Sequence, residues 1–175
     1  MNFLAISGSA RSASTNTALL RALSAVAPPG HTVTVFNGLA DLPVFSPDFE
    51  SAPLPQPVQH FVNLIGNSDG IIIASPEYVR AIPGGLKNAI DWLVSRDEII
   101  TKPIALAHAS HRGDDMLGQL RLVLSTVSTG FTEDIFLRCD LMKQSPQDIA
   151  RHFETKAVRN SAETFLTDFT AFCRP

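Results

Sequence analysis

Short apolar runs take turns with stretches of helical hydrophobic period along this whole chain, and that alternation constrains its fold more than any other feature. The runs Phe3–Ser7, Thr32–Phe36, Gly70–Ser75, Pro103–His108 and Thr132–Leu137 read as strands. Helices are predicted over Thr15–Val26, Pro57–Gly66, Pro83–Val94 and Asp114–Ser128, with a last one running from Ser145-Pro146 to the chain end. Val58, Phe61, Val62 and Ile65 mark the apolar face of the second; Leu117, Leu120, Leu124 and Val127 mark that of the fourth. Ile149, Phe153, Ala157, Phe165, Phe169 and Phe172 form the stripe of the last. Pro83 is expected in the first turn of its helix, where a missing N–H costs nothing, and Asp114 is expected as a cap. Strands alternating with helices imply a parallel sheet covered on both faces. Gly70-Ile71-Ile72-Ile73-Ala74, apolar on both sides, is the expected central strand.

At 175 residues, 45% hydrophobic and 18% charged, the chain suits one folded domain with a substantial core. No linker or repeat interrupts it; the Pro-rich stretch Pro43–Pro57 is the one long irregular connection, of a kind that often covers a ligand or a partner subunit. A net charge of -3 and a pI near 5.9 offer no basic face for nucleic acid. The same balance is too slight for an acidic electron carrier steered toward basic partners. Cys139 and Cys173 lack metal-ligand spacing and are expected as reduced thiols. Met1-Asn2-Phe3 has no basic leader character and no apolar run reaches membrane-spanning length, so a cytoplasmic location is expected.

In sheets of this kind ligands lie beyond the carboxyl ends of the strands, where the strand order reverses. The loops after strands one, three and four are therefore the places to inspect. The first, Gly8-Ser9-Ala10-Arg11-Ser12-Ala13-Ser14-Thr15-Asn16, empties a strand directly into a helix. Unpaired N–H groups and a partial positive charge at a helix start suit a phosphate. Ser9, Ser14 and Thr15 add hydroxyl donors and Arg11 a planar charged fork. The plainer alternative is that Ser14 or Thr15 simply caps the helix.

The second loop runs from Ser75 to Trp92, with Pro76 and Pro83 bracketing an extended turn and Gly84-Gly85 opening a helix. A loop stiffened in this way can present backbone groups in fixed directions to a flat heterocycle. Tyr78 could lie along an aromatic ligand or simply pack. Trp92 and Ile90 read as core, and Lys87 and Asp91 as a surface pair four residues apart.

The pattern Gly8-Ser9-x-Arg11-x-x-Ser14-x-Asn16, then Pro76-Glu77-Tyr78, then Pro83-Gly84-x-Leu86-Lys87-Asn88-Ala89-Ile90-Asp91-Trp92 resembles the NADPH-dependent FMN reductase family. This is the flavodoxin-like group that includes bacterial quinone and chromate reductases. The resemblance covers roughly the first three quarters of the chain. It implies a single flavodoxin-like, doubly wound α/β domain with a five-stranded parallel sheet in the order 2-1-3-4-5. It also implies bound FMN, hydride transfer from NAD(P)H to flavin N5, and electrons passed to a quinone, flavin or other small acceptor, commonly in a homodimer or homotetramer. No side chain would act as a catalyst and no metal would be needed, because the chemistry belongs to the flavin. Ser9, Arg11, Ser14, Thr15 and Asn16 would hold the FMN phosphate. Pro76, Glu77, Tyr78, Val79 and Arg80 would face the isoalloxazine, largely through backbone.

The third loop, His108-Ala109-Ser110-His111-Arg112-Gly113-Asp114-Asp115, should then meet the pyrimidine side through Ser110, Arg112 and Gly113. The chain departs from the family pattern at three places. Val79 stands where Asn is usual, Ala81 where Ser is common, and Arg112-Gly113 where two glycines adjoin. Arg112 could be an exposed charge, or could sit near the flavin N1–C2=O edge and stabilise anionic reduced flavin. His108 and His111 have no third metal ligand nearby and read as packed or exposed imidazoles. The chain lacks a G-x-S-x-G hydrolase elbow and a Rossmann fingerprint, so nicotinamide would dock on the flavin face. The rival readings are a non-enzymatic flavodoxin-like binding protein with weak or no FMN, and an electron-carrier flavodoxin.

Overall fold

A computed structural model of the protein describes residues 1–50 and 53–174. The Pro43–Pro57 connection therefore includes two positions, 51 and 52, outside the described residues. The strands are β1 (Asn2–Ser7), β2 (Thr32–Phe36), β3 (Gly70–Ala74), β4 (Ile104–His108) and β5 (Phe131–Arg138). The helices are α1 (Thr15–Ala25), α2 (Gln56–Gly66), α3 (Gly84–Asp91), α4 (Asp97–Ile100), α5 (Asp114–Val127), α6 (Pro146–His152) and α7 (Lys156–Phe172). All five strands pair in parallel in the order β2-β1-β3-β4-β5, so the reversal falls between β1 and β3 as expected.

The period-2 alternation of the strands divides the core into two layers. Phe3 and Ala5 of β1, Ile72 and Ala74 of β3, and Ala105 and Ala107 of β4 face the layer built by α1, α6 and α7. Leu4, Ile6, Ile71, Ile73, Ile104 and Leu106 face the layer built by α2, α3 and α5. The small Ala105 and Ala107 sit on the side where Leu19, Leu23 and Phe165 supply bulk. β3 is buried at every position, which is why its sequence carries no polar alternation.

Three boundaries differ from the sequence reading. The last helix is two helices, broken at Phe153-Glu154-Thr155. Thr155 is extended and its Oγ1 donates to the His152 carbonyl at 2.7 Å, ending one helix and opening the next. Ile149 and Phe153 before the break, and Phe165 and Phe169 after it, bury into the same layer, whereas Ala157 and Phe172, read into the same stripe, are exposed. Pro83 is the N-cap of α3 rather than a residue of its first turn. That helix stops at Asp91, and the short α4 follows where the pattern had been read as continuous. Trp92 and Ile90 are core as expected, and Lys87 pairs with Asp91. Among the described residues no helix is long and apolar enough to cross a membrane.

Candidate functional site

The loop after β1 is built by a close approach. The Gly8 N–H donates to the Ala74 carbonyl at 2.8 Å, tying the exits of β1 and β3 together. A Cβ at Gly8 would lie 2.4 Å from Ser75 Oγ and 2.7 Å from Ser75 Cβ, so no larger residue fits without moving one loop. Beneath the loop, the buried hydroxyls of Ser7 and Thr17 bond at 2.7 Å. Ser9 Oγ accepts the Arg11 N–H at 3.2 Å. Ser14 Oγ accepts the Thr17 N–H at 3.3 Å, so Ser14 is the N-cap of α1. The N–H groups of Thr15 and Asn16 find no acceptor among the described residues, and the exposed Arg11 guanidinium finds no carboxylate. This is the donor set of an anion site at a helix start.

The same helix start opens onto a cleft of about 360 Å³ at the carboxyl end of the sheet. Thr15 and Asn16 line it from α1, and Pro76 and Glu77 from the loop after β3. His108, Ser110, Arg112 and Gly113 line it from the loop after β4. Seven of the thirteen residues singled out in the sequence thus share one cleft: Thr15, Asn16, Pro76, Glu77, Ser110, Arg112 and Gly113. Ser9, Arg11 and Ser14 lie in the adjoining α1 loop.

Tyr78, Val79 and Arg80 do not line the cleft. They form a tight turn in which Tyr78 and Ala81 exchange backbone hydrogen bonds of 3.2 and 3.0 Å. Val79 and Arg80 both occupy left-handed backbone, at φ +53° and +58°. Two consecutive positive φ values define the type I′ geometry that Asn and Gly favour and a β-branched residue resists. The turn holds its shape through α5. Glu77 Oε2 accepts the Met116 N–H at 3.0 Å, Gln119 Nε2 donates to the Arg80 carbonyl at 2.9 Å, and the Arg80 guanidinium pairs with Asp115. The Arg80 hydrogen bond holds the Asp115 carboxyl below its ordinary range. Val79 is 98% exposed, so its strain buys no packing. Val79→Asn is therefore expected to stabilise the fold by about 1 kcal/mol, raising Tm by roughly 2–4 °C in a thermal melt; an unchanged or lower Tm would contradict the strained turn.

The loop after β4 is arranged around a buried imidazole. His108 Nε2 donates to the Arg112 carbonyl at 2.5 Å, which fixes the proton on Nε2, while Nδ1 is sealed from water without a partner. Burial pushes the His108 pKa down, against the opposing pull of the Arg112 carbonyl. Gly113 has φ +101°, and a Cβ there would come within 2.8 Å of His108 Nε2. Conformation and space both demand glycine at this point. Asp114 is not the cap of α5: Gly113 holds the N-cap position, Asp114 is the first helical residue, and its carboxylate pairs with Arg138 at 2.8 Å. The carboxylate that does reach the first turn of α5 is Glu77, 39 residues away in sequence, which is why local reading overlooked it. His111 turns from His108 to pair with Asp140 at 3.0 Å. No cluster of three or more His, Cys, Asp or Glu that could hold a metal occurs among the described residues.

Arg112 is exposed at the cleft and makes no ion pair among the described residues. Met142 and Lys143, from the loop after β5, also line the cleft and were missed in the sequence. That loop has no glycine-rich or hydroxyl-rich signature. Strand pairing delivers it: the Cys139 and Leu141 N–H groups donate to the His108 and Ala109 carbonyls, carrying the chain past the β4 loop. The two thiols are chemically quiet, since burial pushes Cys139 up to about 11 and Cys173 up to about 12.

A sequence model described as NADPH-dependent FMN reductase matches residues 1–137. A quinone reductase of Escherichia coli (strain K12) is 35% identical over 106 residues, covering 59% of this chain and 56% of that protein. An NAD(P)H-dependent FMN reductase of Pseudomonas aeruginosa is 36% identical over 109 residues, covering 61% and 58%. The matched segments thus span little more than half the length of these curated relatives. The solved flavoenzyme NAD(P)H:(acceptor) oxidoreductase FerB from Paracoccus denitrificans superposes with a TM-score of 0.72, covering 98% of this chain and 94% of that one. At 24% identity that likeness speaks to the flavodoxin-like fold alone.

Proposed function

This chain belongs to the NADPH-dependent FMN reductase family, and from that premise we propose that it is an FMN-dependent NAD(P)H oxidoreductase acting on a small quinone-like acceptor. The observation that carries the proposal is the continuity of the α1 helix start with the cleft between the loops after β3 and β4. The residues present fit FMN. Free N–H groups of Thr15 and Asn16, with Ser9, Ser14 and the uncommitted Arg11, match a terminal phosphate. A cleft walled by Pro76-Glu77 on one side and Ser110 to Gly113 on the other offers room for a ring system between them.

FMN, when bound, supplies a ring that takes hydride from a nicotinamide and returns electrons to an acceptor. The chain's own contribution is placement. Arg11 and the α1 N–H groups would fix the phosphate end. Pro76 and Glu77, the part of this loop that lines the cleft, would face the ring, held in place by the Glu77–Met116 bond and by the Tyr78–Ala81 turn that Arg80 and Gln119 clamp to α5. Arg112 would place positive charge beside the pyrimidine edge, where reduced flavin gathers negative charge. Assembly into homo-oligomers in the cytoplasm belongs to the same reading. It is supported by Val44, Phe49 and Val94, large apolar side chains left exposed around the loop that Asn88 and Trp92 pin to α3.

The test is an anaerobic titration. The purified protein, as isolated or after incubation with FMN, is expected to show flavin absorbance that NADPH or NADH bleaches and a quinone restores. A colourless protein that takes up no FMN would favour a non-enzymatic role. Accumulation of a long-lived one-electron state would favour an electron carrier.

A further inference from the structure

The loop after β4 has most of its acceptors occupied from within and several of its donors free. The carbonyls of His108 and Ala109 accept the Cys139 and Leu141 N–H groups at 2.9 and 3.4 Å. The Ser110 carbonyl accepts from Arg138 Nε at 2.9 Å, and the Gly113 carbonyl accepts the Leu117 N–H at 3.0 Å. The Arg112 carbonyl is held by His108 Nε2. The Arg112 N–H donates to Ser110 Oγ at 3.0 Å, whereas the N–H groups of Ser110, His111 and Gly113 find no acceptor among the described residues. Gly113 differs from the other two because it is buried and lines the cleft. A donor left unpaired at such a place carries a free-energy penalty that a ligand oxygen would relieve.

The Arg112 carbonyl and the Gly113 N–H belong to one peptide. That peptide is planar and trans, so the two groups point in opposite directions. Whatever holds the carbonyl therefore aims the N–H. A peptide that precedes glycine turns over readily, since glycine takes either sign of φ, and Gly113 sits at φ +101°. His108 holds it in one of its two orientations. The imidazole is 2% exposed and its Nε2 meets the carbonyl at 2.5 Å. A carbonyl only accepts, so this nitrogen carries the proton. Nδ1 is left buried with no partner, a penalty of about 1–3 kcal/mol. A leucine would fill the space without that penalty, so packing alone does not account for a histidine here.

We infer that His108 is a positioning residue: it locks the Arg112–Gly113 peptide with its N–H toward the cleft, and that N–H meets an oxygen on the pyrimidine edge of the flavin. The inference rests on the FMN reductase reading above. Turned over, the same peptide would set the Arg112 carbonyl against that oxygen, acceptor against acceptor. Reduced flavin gathers negative charge at this edge, so the fixed donor favours the reduced form over the oxidised one.

Two measurements test the lock. A proton–nitrogen correlation spectrum of the FMN-free wild type should show His108 protonated at Nε2 and bare at Nδ1 near neutral pH. In the FMN-loaded protein, His108→Leu should lower the midpoint potential by about 30 mV, the two-electron equivalent of a tenfold loss of preference for the reduced form. His108→Gln, whose amide nitrogen can stand in for Nε2, should keep most of that preference. A proton on Nδ1 alone would overturn the inference, as would an unmoved potential in His108→Leu. An equal fall in both variants would overturn it too, because packing rather than the hydrogen bond would then set the potential. A wild type that takes up no FMN would overturn the family-based reading and this inference together; FMN uptake with any of the other three results would overturn this inference alone.

Discussion

Arg11→Ala is expected to weaken FMN binding by about 10- to 100-fold, the scale of a charge-assisted contact to phosphate. The variant isolates that contact because Arg11 has no other commitment: it is exposed and pairs with no carboxylate among the described residues. Its stability should therefore stay within about 0.5 kcal/mol of the wild type. Ser14 would be a poorer probe. Its hydroxyl caps α1 through the Thr17 N–H, so Ser14→Ala would lower helix stability and affinity together. Fluorescence titration of Arg11→Ala with FMN, at two salt concentrations, checks the point. Affinity within twofold of the wild type would mean that Arg11 does not reach the phosphate.

Trp92→Ala is expected to destabilise the fold by about 3–5 kcal/mol, the range for deleting a large buried aromatic, which for a chain of this size lowers Tm by roughly 10–15 °C. Trp92 is fully buried at the end of α3, and its ring meets Phe45 edge-on at 5.2 Å. Its indole N–H donates to the Pro43 carbonyl at 2.8 Å, beside Asn88, which donates to the same carbonyl and accepts the Phe45 N–H. One side chain therefore fills the core under α3 and pins the start of the Pro-rich connection. Trp92→Phe should cost less, because most of the volume is kept and Asn88 still satisfies Pro43. If the alanine variant melted within about 3 °C of the wild type, the packing account of this layer would fail.

Much of the fold is legible in the sequence, for reasons that are local. Parallel strands such as β3 are apolar on both faces, and helices such as α2 show their period, so the order of elements and a parallel sheet are legible locally, whereas the strand order 2-1-3-4-5 is what the family resemblance implies. What could not be read depends on partners distant in sequence. Glu77 reaches the first turn of α5 only because the β3 and β4 loops are brought together, whereas the sequence around Asp114 offers only that local carboxylate as a cap. Lys143 enters the cleft through the pairing of β5 with β4 and carries no motif of its own. The break before α7 is masked because Ala157, an apolar residue at the spacing of the stripe, is exposed there and burial resumes only at Ala162. The strained turn at Val79 was visible only as a departure from the family's Asn; its positive φ gives that departure a physical meaning.

On the proposed function, the α1 helix start and Arg11 grip the phosphate of a flavin mononucleotide. The most direct test of that grip is to titrate the wild-type protein with FMN and with riboflavin, which share the ring and ribityl chain and differ only in that phosphate. The account predicts FMN binding at least about 100-fold tighter, from Arg11 and the free N–H groups together. Equal affinity for the two would contradict it.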